Sequence, residues 1–223
     1  MSSGVRGDIP AIVRNDTGRY QGDLRYYFNV LFSQAKNLNS PYHNFRHMTH
    51  VLWLCHSACV FYVHELSKRQ KRNLLIAAIF HDFNHRGKPG PDILNIRRAL
   101  AAFDKYILPK DRLFYEDIET LIRATEYPHK VPSSDLDLSA KILRDADVAQ
   151  ALSPVWMQQV VFGLAKEWGK SPLEVLKMQE TFQKNLEFET EWARLMFPRS
   201  EIDQKIAEAK EYMELLALET ASV

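Results

Sequence analysis

Apolar residues recur three and four positions apart along most of the chain, which is the spacing that keeps them on one face of an α-helix. Alternating apolar and polar stretches bounded by glycine-rich turns, which would indicate strands, are almost missing from the sequence. The pattern therefore predicts an all-α fold. The predicted helices cover residues 20–38, 47–67, 70–84, 93–107, 111–126, 137–151, 154–168, 172–196 and 200–218.

Glycines and prolines separate these segments. Ser171 followed by Pro172 is typical of a helix start, because serine caps the first turn and proline tolerates its first position. The strongest break is Gly-Lys-Pro-Gly-Pro at residues 87–91, where we expect a loop beside a cleft. No linker is long enough to separate two domains. We therefore expect a flexible segment at residues 1–17 and a single compact helical domain at residues 18–223.

The composition excludes several classes of partner. The chain has 223 residues, of which 29 are basic and 28 acidic, so no global field attracts polymeric nucleic acid or an anionic membrane. Cys55 and Cys59 are the only cysteines and are four residues apart, which is unlike a CxxC site and favours reduced thiols. No secretory signal or membrane-spanning stretch is evident. We expect a cytoplasmic protein with no membrane partner.

Candidate metal ligands come from three separate segments. A His-Asp pair, His81-Asp82, follows the apolar run at residues 74–80 and is therefore held against a buried wall. His47 lies upstream and Asp147 lies far downstream, at the end of another apolar segment. Imidazole and carboxylate ligands without a thiolate suit Zn, Mn, Fe, Ni or Mg. The set predicts a metal site made by these four side chains.

Two histidine pairs share a helical spacing of four residues. His43 precedes His47, and His81 precedes His85, so each pair projects from one face if its segment is helical. A lone histidine is usually a surface or hydrogen-bonded core residue, but the joint pattern favours two faces that line one pocket.

The two histidine motifs resemble those of a known superfamily. Residues 41–147 resemble the HD-domain metal-dependent phosphohydrolases, and the segments Pro-Tyr-His-Asn-Phe-Arg-His at 41–47 and His-Asp-Phe-Asn-His-Arg-Gly at 81–87 are similar to the class I cyclic nucleotide phosphodiesterases. The resemblance implies an HD-type helical fold and a binuclear metal site. It implies that the tighter metal ion is bound by His47, His81, Asp82 and Asp147.

The same resemblance implies roles in catalysis for three residues. Asp82 would also contact the second metal ion, His85 would lie beside that second site, and His43 would donate a proton to the leaving oxygen. The resemblance does not extend to the residues with which the family binds its substrate. Gln179 and Gln183 lie in the late region where the family carries a purine-binding glutamine, but their surroundings differ from that motif. The purine-binding role is therefore not transferred to them.

Five further residues are candidates for the pocket. Asp145 is an alternative to Asp147, although a surface or supporting carboxylate is the more ordinary interpretation. Glu126 could orient a metal-bound water and His129 could meet a phosphate, but an exposed helix end is equally compatible with them. Arg86 could steer an anion or be an ordinary solvated charge, and Asn44 belongs to the first histidine motif.

These features predict a metal-dependent phosphohydrolase. The expected reaction is phosphodiesterase-like hydrolysis of a nucleotide or a related small phosphate ester by a hydroxide that bridges two divalent ions, which could be Mn, Mg, Zn, Ni or Fe. Two alternatives stay open. One is an HD-domain di-iron oxygenase with similar ligands, and the other is a catalytically degenerate domain that senses a nucleotide.

Overall fold

The computed structural model describes residues 11–221, including the side chains of residues 11–216. The described chain forms a single all-α domain without a strand, so the predicted fold class is confirmed. In chain order the helices are α1 (Arg25–Gln34), α2 (Phe45–Phe61), α3 (Lys68–Phe80), α4 (Ile93–Tyr106), α5 (Tyr115–Ala124), α6 (Leu138–Val148), α7 (Phe162–Trp168), α8 (Pro172–Lys184), α9 (Glu191–Met196) and α10 (Arg199–Ala221). Short 3-10 turns occur at Pro109–Phe114, Ser133–Asp135 and Ala149–Leu152, and a π turn at Met157–Val161.

Helix α3 is the centre of the domain. It begins with a capping box in which Ser67 and Gln70 satisfy each other's backbone N–H groups. From residue 71 to residue 80 every side chain is buried, and α3 packs against α2, α4, α5 and α6. Residues 74–80 are apolar on all sides of the helix and must therefore lie inside the protein, and burial of this run holds the residues that follow Phe80 in one place.

The predicted helix at 172–196 is wrong in one respect, because the structure divides it into α8 and α9. The apolar spacing continues through residues 185–190, but the backbone there leaves the helix. The carboxylate of Asp145 accepts hydrogen bonds from the backbone N–H groups of Glu189 and Thr190, at 2.9 and 2.8 Å. These contacts across the domain compete with the helical hydrogen bonds of the same residues, so tertiary structure overrides the local pattern.

The N-terminal end of the predicted domain also differs from the pattern. The helix expected at 20–38 extends only over Arg25–Gln34. Of the flexible segment expected at 1–17, residues 1–10 lie outside the described part of the chain. Residues 11–14 form a helical turn, in which Ile12 and Val13 are buried.

A second, smaller hydrophobic cluster lies beside the main core. It joins the π turn, α7, α8 and α10 through Trp156, Val161, Leu164 and Leu176. The indole N–H of Trp156 donates to Glu208 of α10 at 3.0 Å, which satisfies the polar end of this buried side chain. The second cluster positions α7 and α8 above the end of α3.

Charged residues are buried at the beginning of α3. Arg72 donates two hydrogen bonds to the carboxylate of Asp111, at 2.8 and 2.7 Å, and Arg69 donates a third at 2.8 Å. The hydroxyl of Tyr27 donates a fourth at 2.8 Å. Asp111 is completely buried, and four donors satisfy its charge. We call these four residues the Asp111 cluster.

Within residues 11–221, no helix combines the length and the apolar composition that a membrane crossing requires.

Candidate metal centre

Four side chains converge just beyond the end of α3. His81 is the C-cap of α3, Asp82 follows it, His47 lies in the first turn of α2, and Asp147 lies in the last turn of α6. One nitrogen or oxygen atom from each residue lies within 4.8 Å of the corresponding atoms of the others. His47 Nε2 is 3.1 Å from both Asp82 Oδ2 and Asp147 Oδ1, and 3.4 Å from His81 Nε2. The four predicted ligands are therefore brought together; we call them the His/Asp cluster.

Hydrogen bonds fix which imidazole nitrogen faces the cluster. His81 Nδ1 is 2.9 Å from the carbonyl oxygen of Ala78, which can only accept, so Nδ1 carries the proton. His47 Nδ1 donates to Oε1 of Gln150 at 2.7 Å, and the amide nitrogen of Gln150 in turn donates to Gln159 in the π turn. Such partners orient the ligands of metal sites. In both residues Nε2 is left to face the two carboxylates.

The donor atoms fit a divalent cation. Two imidazole nitrogens and two carboxylate groups point at one another, and Asp82 Oδ2 is a buried atom without a hydrogen-bond partner in the described chain. Buried polar groups are normally satisfied, and electron-pair donors at this separation repel one another unless protons or a cation lie between them. The set contains no thiolate and suits Zn, Mn, Fe, Ni or Mg. These groups could hold a metal ion.

The carboxylates and the histidines of the cluster shift one another's pKa. Burial alone would lower the pKa of His47, but a hydrogen bond with Asp147 and the charges of Asp82 and Asp147 raise it to about 10. Burial would also lower the pKa of His81, but the charge of Asp82 opposes this effect, and the pKa of His81 is raised. Burial would raise the pKa of Asp147, but His47 and His81 hold it well below its usual range. The carboxylates are thus ionised and attract positive charge.

A glutamate that the sequence does not reveal holds His43. Glu167 Oε2 is 2.6 Å from His43 Nδ1, while Oε1 accepts the backbone N–H groups of Tyr42 and His43, at 2.9 and 3.0 Å. The Glu167 side chain is only 1% exposed. Burial lowers the pKa of His43, whereas Asp82 and Glu167 act to raise it. Glu167 therefore fixes both the ring and the backbone of the residue expected to donate a proton.

Two glycines make room for this arrangement. A Cβ at Gly163, four residues before Glu167 on α7, would lie 2.9 Å from the carbonyl oxygen of Pro41. A Cβ at Gly87 would lie 2.6 Å from Cδ of Glu167, and Gly87 has a φ of +62°, which favours glycine. Close approach of backbone on both sides thus brings the Glu167 carboxylate to His43.

His85 lies beside the His/Asp cluster without belonging to it. Its ring stacks on His43, with the centroids 3.5 Å apart, and its Nε2 is 2.7 Å from the side-chain nitrogen of Asn95. The ligand atoms of His43, His85 and Glu167 lie within 4.8 Å of one another and form a second group that could hold a metal ion.

Of the five residues predicted for the pocket, the structure places two in a large cavity and three outside its lining. His129 and Asp145 line the large cavity described below, whereas Asn44, Arg86 and Glu126 are not among its lining residues. Asn44 caps α2, since its side chain accepts the backbone N–H groups of Arg46 and His47. Asp145 accepts from Glu189 and Thr190 and stands outside the four-residue cluster, which contains Asp147 instead.

A cavity of about 1040 Å³ opens onto the His/Asp cluster. Its polar side contains His43, His47, Asp82, His85 and Asp147. Its apolar lining includes Met178, Phe182 and Leu186 from α8 and the segment after it, together with Val160 and Leu164.

Two buried polar residues face the same cavity. Gln179 is 8% exposed, and its Oε1 has no hydrogen-bond partner in the described chain. Arg144 is 2% exposed and donates to the carbonyl oxygen of Ala124 at 2.6 Å and to Glu189 at 3.3 Å. The cavity therefore combines a metal-ligating end with an apolar wall that carries a few polar groups.

The chain matches no protein-family model, and it matches no curated protein. The fold and the site themselves define an all-helical protein with a buried His/Asp cluster that could bind metal.

Proposed function

We propose that the chain is a metal-dependent phosphohydrolase with phosphodiesterase-like activity on a nucleotide or a related small phosphate ester. One observation carries the proposal: the His/Asp cluster lies at the end of a cavity in which a histidine fixed by a buried glutamate stands beside it. Ester hydrolysis needs a nucleophile, charge stabilisation and a proton for the leaving oxygen, and this arrangement has groups for each task.

The proposed metal ligands are the four residues of the His/Asp cluster. Divalent ions bound there would neutralise phosphate charge and make water a better nucleophile at neutral pH. Asp82 is the residue proposed to be shared with a second ion, because His85 and His43 of the second group act on its carboxylate as well as His81 and His47 of the first. The resemblance of the two histidine motifs to those of HD-domain phosphohydrolases supports the same assignment.

His43 is the proposed proton donor. Glu167 holds Nδ1, so Nε2 is the nitrogen left for a substrate oxygen, and the two backbone hydrogen bonds to Glu167 prevent the segment from rotating away. Glu167 is a positioning residue, since it reaches the substrate only through His43. A correctly placed general acid contributes about 10² to 10⁴ in rate.

The shape of the cavity favours a substrate with an organic part of nucleoside size. Ligand cavities span roughly 300–1,000 Å³, and this one is at the upper end of that range. Phe182 and Met178 offer apolar surface within the same cavity as the His/Asp cluster, and the free Oε1 of Gln179 can accept a hydrogen bond from a polar edge. A phosphate ester with an aromatic or apolar group would place its phosphate at the His/Asp cluster and its organic part against the apolar residues of the cavity.

Metal analysis combined with a substrate screen tests the proposal. Gently purified protein is assayed for bound metal and then tested on cyclic nucleotides, nucleoside monophosphates, dinucleotides and a generic phosphodiester with Mn, Mg, Zn, Ni and Fe. We expect stoichiometric metal and release of a phosphate product without oxygen. Turnover that consumes dioxygen would favour an oxygenase instead, and binding of nucleotides without turnover would favour a sensor.

Variants of the proton donor test its role. On an ester with a poor leaving group, His43→Ala and Glu167→Gln should lower turnover by about 10² to 10⁴ and leave the metal bound by the four residues of the His/Asp cluster in place. On an activated aryl ester, whose leaving group needs no proton, both variants should be close to wild type. The exposed Glu201→Gln is the control. Full activity of both variants on the poor leaving group would refute the acid role.

A further inference from the structure

A second pocket, remote in sequence from the His/Asp cluster, collects positive charge. It has a volume of about 380 Å³ and lies between the loop before α1, the end of α2 and the first turn of α3. Thr17, Arg19, Cys59, Lys68 and Lys71 line it, and we call it the basic pocket. No carboxylate of residues 11–221 lines it. Three cations therefore surround one small space without an anion among its walls.

Lys71 is the least ordinary of these cations. It is 4% exposed, and its ammonium group donates a hydrogen bond of 2.9 Å to the carbonyl oxygen of Val63. An ammonium group has three N–H donors, and burying a charge without an ionic partner is costly. The Asp111 cluster, by contrast, supplies a carboxylate to each of its arginines. Lys71 is thus a buried cation in need of a counter-ion.

Arg19 adds a second unsatisfied donor. Its Nε is buried and has no hydrogen-bond partner in the described chain. Both cations act on the same neighbour: burial raises the pKa of the Cys59 thiol to about 12, and the charges of Lys71 and Arg19 oppose that rise. The N-terminal end of α3 adds the positive end of a helix dipole to this pocket.

We propose that the basic pocket binds a phosphate group, either free or carried by a small phosphate monoester. Arg19, Lys68 and Lys71 would contact the phosphate oxygens, because charge-assisted hydrogen bonds to phosphate satisfy several donors at once. Cys59, Val63 and Leu66 give the pocket an apolar floor, and its volume leaves space there for a short organic group. The site is separate from the proposed hydrolytic site and does not depend on metal.

Binding of inorganic phosphate to the full chain tests the proposal. The protein is freed of metal with a chelator, so that phosphate cannot bind through ions at the His/Asp cluster, and titrated by calorimetry at constant ionic strength. We expect saturable binding of one phosphate. Arg19→Gln and Lys71→Met should each weaken it by at least about tenfold, the effect of losing one charge-assisted hydrogen bond. Lys88→Gln, which alters the large cavity, should leave the affinity unchanged.

Methyl and butyl phosphate distinguish the two sources of the group. Tighter binding of butyl phosphate than of inorganic phosphate assigns the pocket to a monoester, and equal binding assigns it to free phosphate. Far-ultraviolet circular dichroism establishes whether the variants fold. If Lys71→Met does not fold, the phosphate affinity of Arg19→Gln alone tests the proposal. The proposal is overturned by the absence of saturable binding, by unchanged affinity in the folded variants, or by a loss of affinity in Lys88→Gln.

Discussion

The two ends of α3 bury charge in opposite ways. At the beginning of the helix, Asp111 is completely buried, and Arg69, Arg72 and Tyr27 together give it four hydrogen bonds. Beyond the other end, two imidazole nitrogens and two carboxylates face one another, and a buried oxygen of Asp82 has no hydrogen-bond partner among the described residues. The carboxylate at the beginning of α3 therefore has its hydrogen bonds from protein groups, whereas a carboxylate oxygen beyond the other end does not.

This difference separates a structural charge cluster from a candidate binding site. Both clusters are buried, and both shift the pKa of their carboxylates downward against the effect of burial. Burial and a shifted pKa therefore do not distinguish them. The distinguishing property is satisfaction of the carboxylate oxygens: both oxygens of Asp111 accept hydrogen bonds from protein groups, whereas Oδ2 of Asp82 accepts none within residues 11–221 and could be satisfied by a cation.

The largest expected effect is the loss of metal binding at the His/Asp cluster. His81→Ala removes one of four proposed ligands, so metal content should fall to background and hydrolysis should fall with it. Elemental analysis and the phosphate-release assay measure the two quantities. His64→Ala, which changes an exposed histidine, is the matched control and should behave as wild type. Stoichiometric metal in His81→Ala would remove this residue from the ligand set.

A substitution in the Asp111 cluster should change the stability of the protein and not its activity. Asp111→Asn leaves Arg69 and Arg72 without their buried counter-charge, and we expect the free energy of unfolding to decrease by about 3–5 kcal/mol. Denaturant unfolding measures it, and metal content at native conditions should be unchanged. Asp104→Asn breaks an exposed ion pair with Arg112 and should cost at most about 1 kcal/mol. An equal effect of the two substitutions would contradict the contrast.

A smaller effect is expected from the residue that orients His47. Gln150→Leu removes the acceptor of the His47 Nδ1 proton, so metal affinity should decrease by about 10- to 100-fold. Gln150→Glu keeps an acceptor at this position and should retain most of the affinity. Competition with a chromophoric chelator measures both variants. If both lose affinity equally, packing around residue 150 is responsible and the hydrogen bond is not.

The smallest effect is the acid sensitivity of the Asp111 cluster. Burial would raise the pKa of Asp111, but hydrogen bonds from Arg72 and Tyr27 and the charge of Arg72 lower it to about 2, from an ordinary value of 3.8. A lowered native pKa means that this stabilisation is fully present above pH 4 and is lost as the pH falls toward 2. The loss should be about 2 kcal/mol.

The comparison with Asp111→Asn isolates that contribution. Unfolding curves of wild type and variant are measured between neutral pH and the acid limit, and the stability difference between them should shrink as the pH falls. A difference that stays constant with pH would show that Asp111 does not titrate in the native protein with a lowered pKa.

The sequence was sufficient for the fold class and for the four residues of the His/Asp cluster. The apolar run at 74–80 predicts a buried helix, and a His-Asp pair at its end must emerge at a fixed place. The helical face expected for each histidine pair is wrong, because His43 precedes the N-cap of α2 and His85 follows the end of α3. The rings of His43 and His85 nevertheless meet beside the His/Asp cluster.

Glu167 and Gln150 carry no comparable signal. Glu167 meets His43 across 124 positions, and Gln150 meets His47 across 103, so neither contact leaves a spacing that local periodicity could indicate. The break between α8 and α9 has the same origin, because Asp145 captures the backbone of Glu189 from 44 positions away. Long-range hydrogen bonds thus account for what the pattern of apolar residues could not predict.

The packing of α7 has a consequence for how the site opens. His47, His81 and Asp147 are attached to the main hydrophobic core, whereas Glu167 lies on α7, which packs in the second cluster. Local unfolding follows such packing units, and a small unit opens at a lower free energy than the main core. Opening of the second cluster would release His43 from its carboxylate while the four ligand side chains stay in place. In amide hydrogen exchange, the backbone N–H of His43, which donates to Glu167, would thus exchange with the second cluster, and those of His47, His81 and Asp147 with the main core.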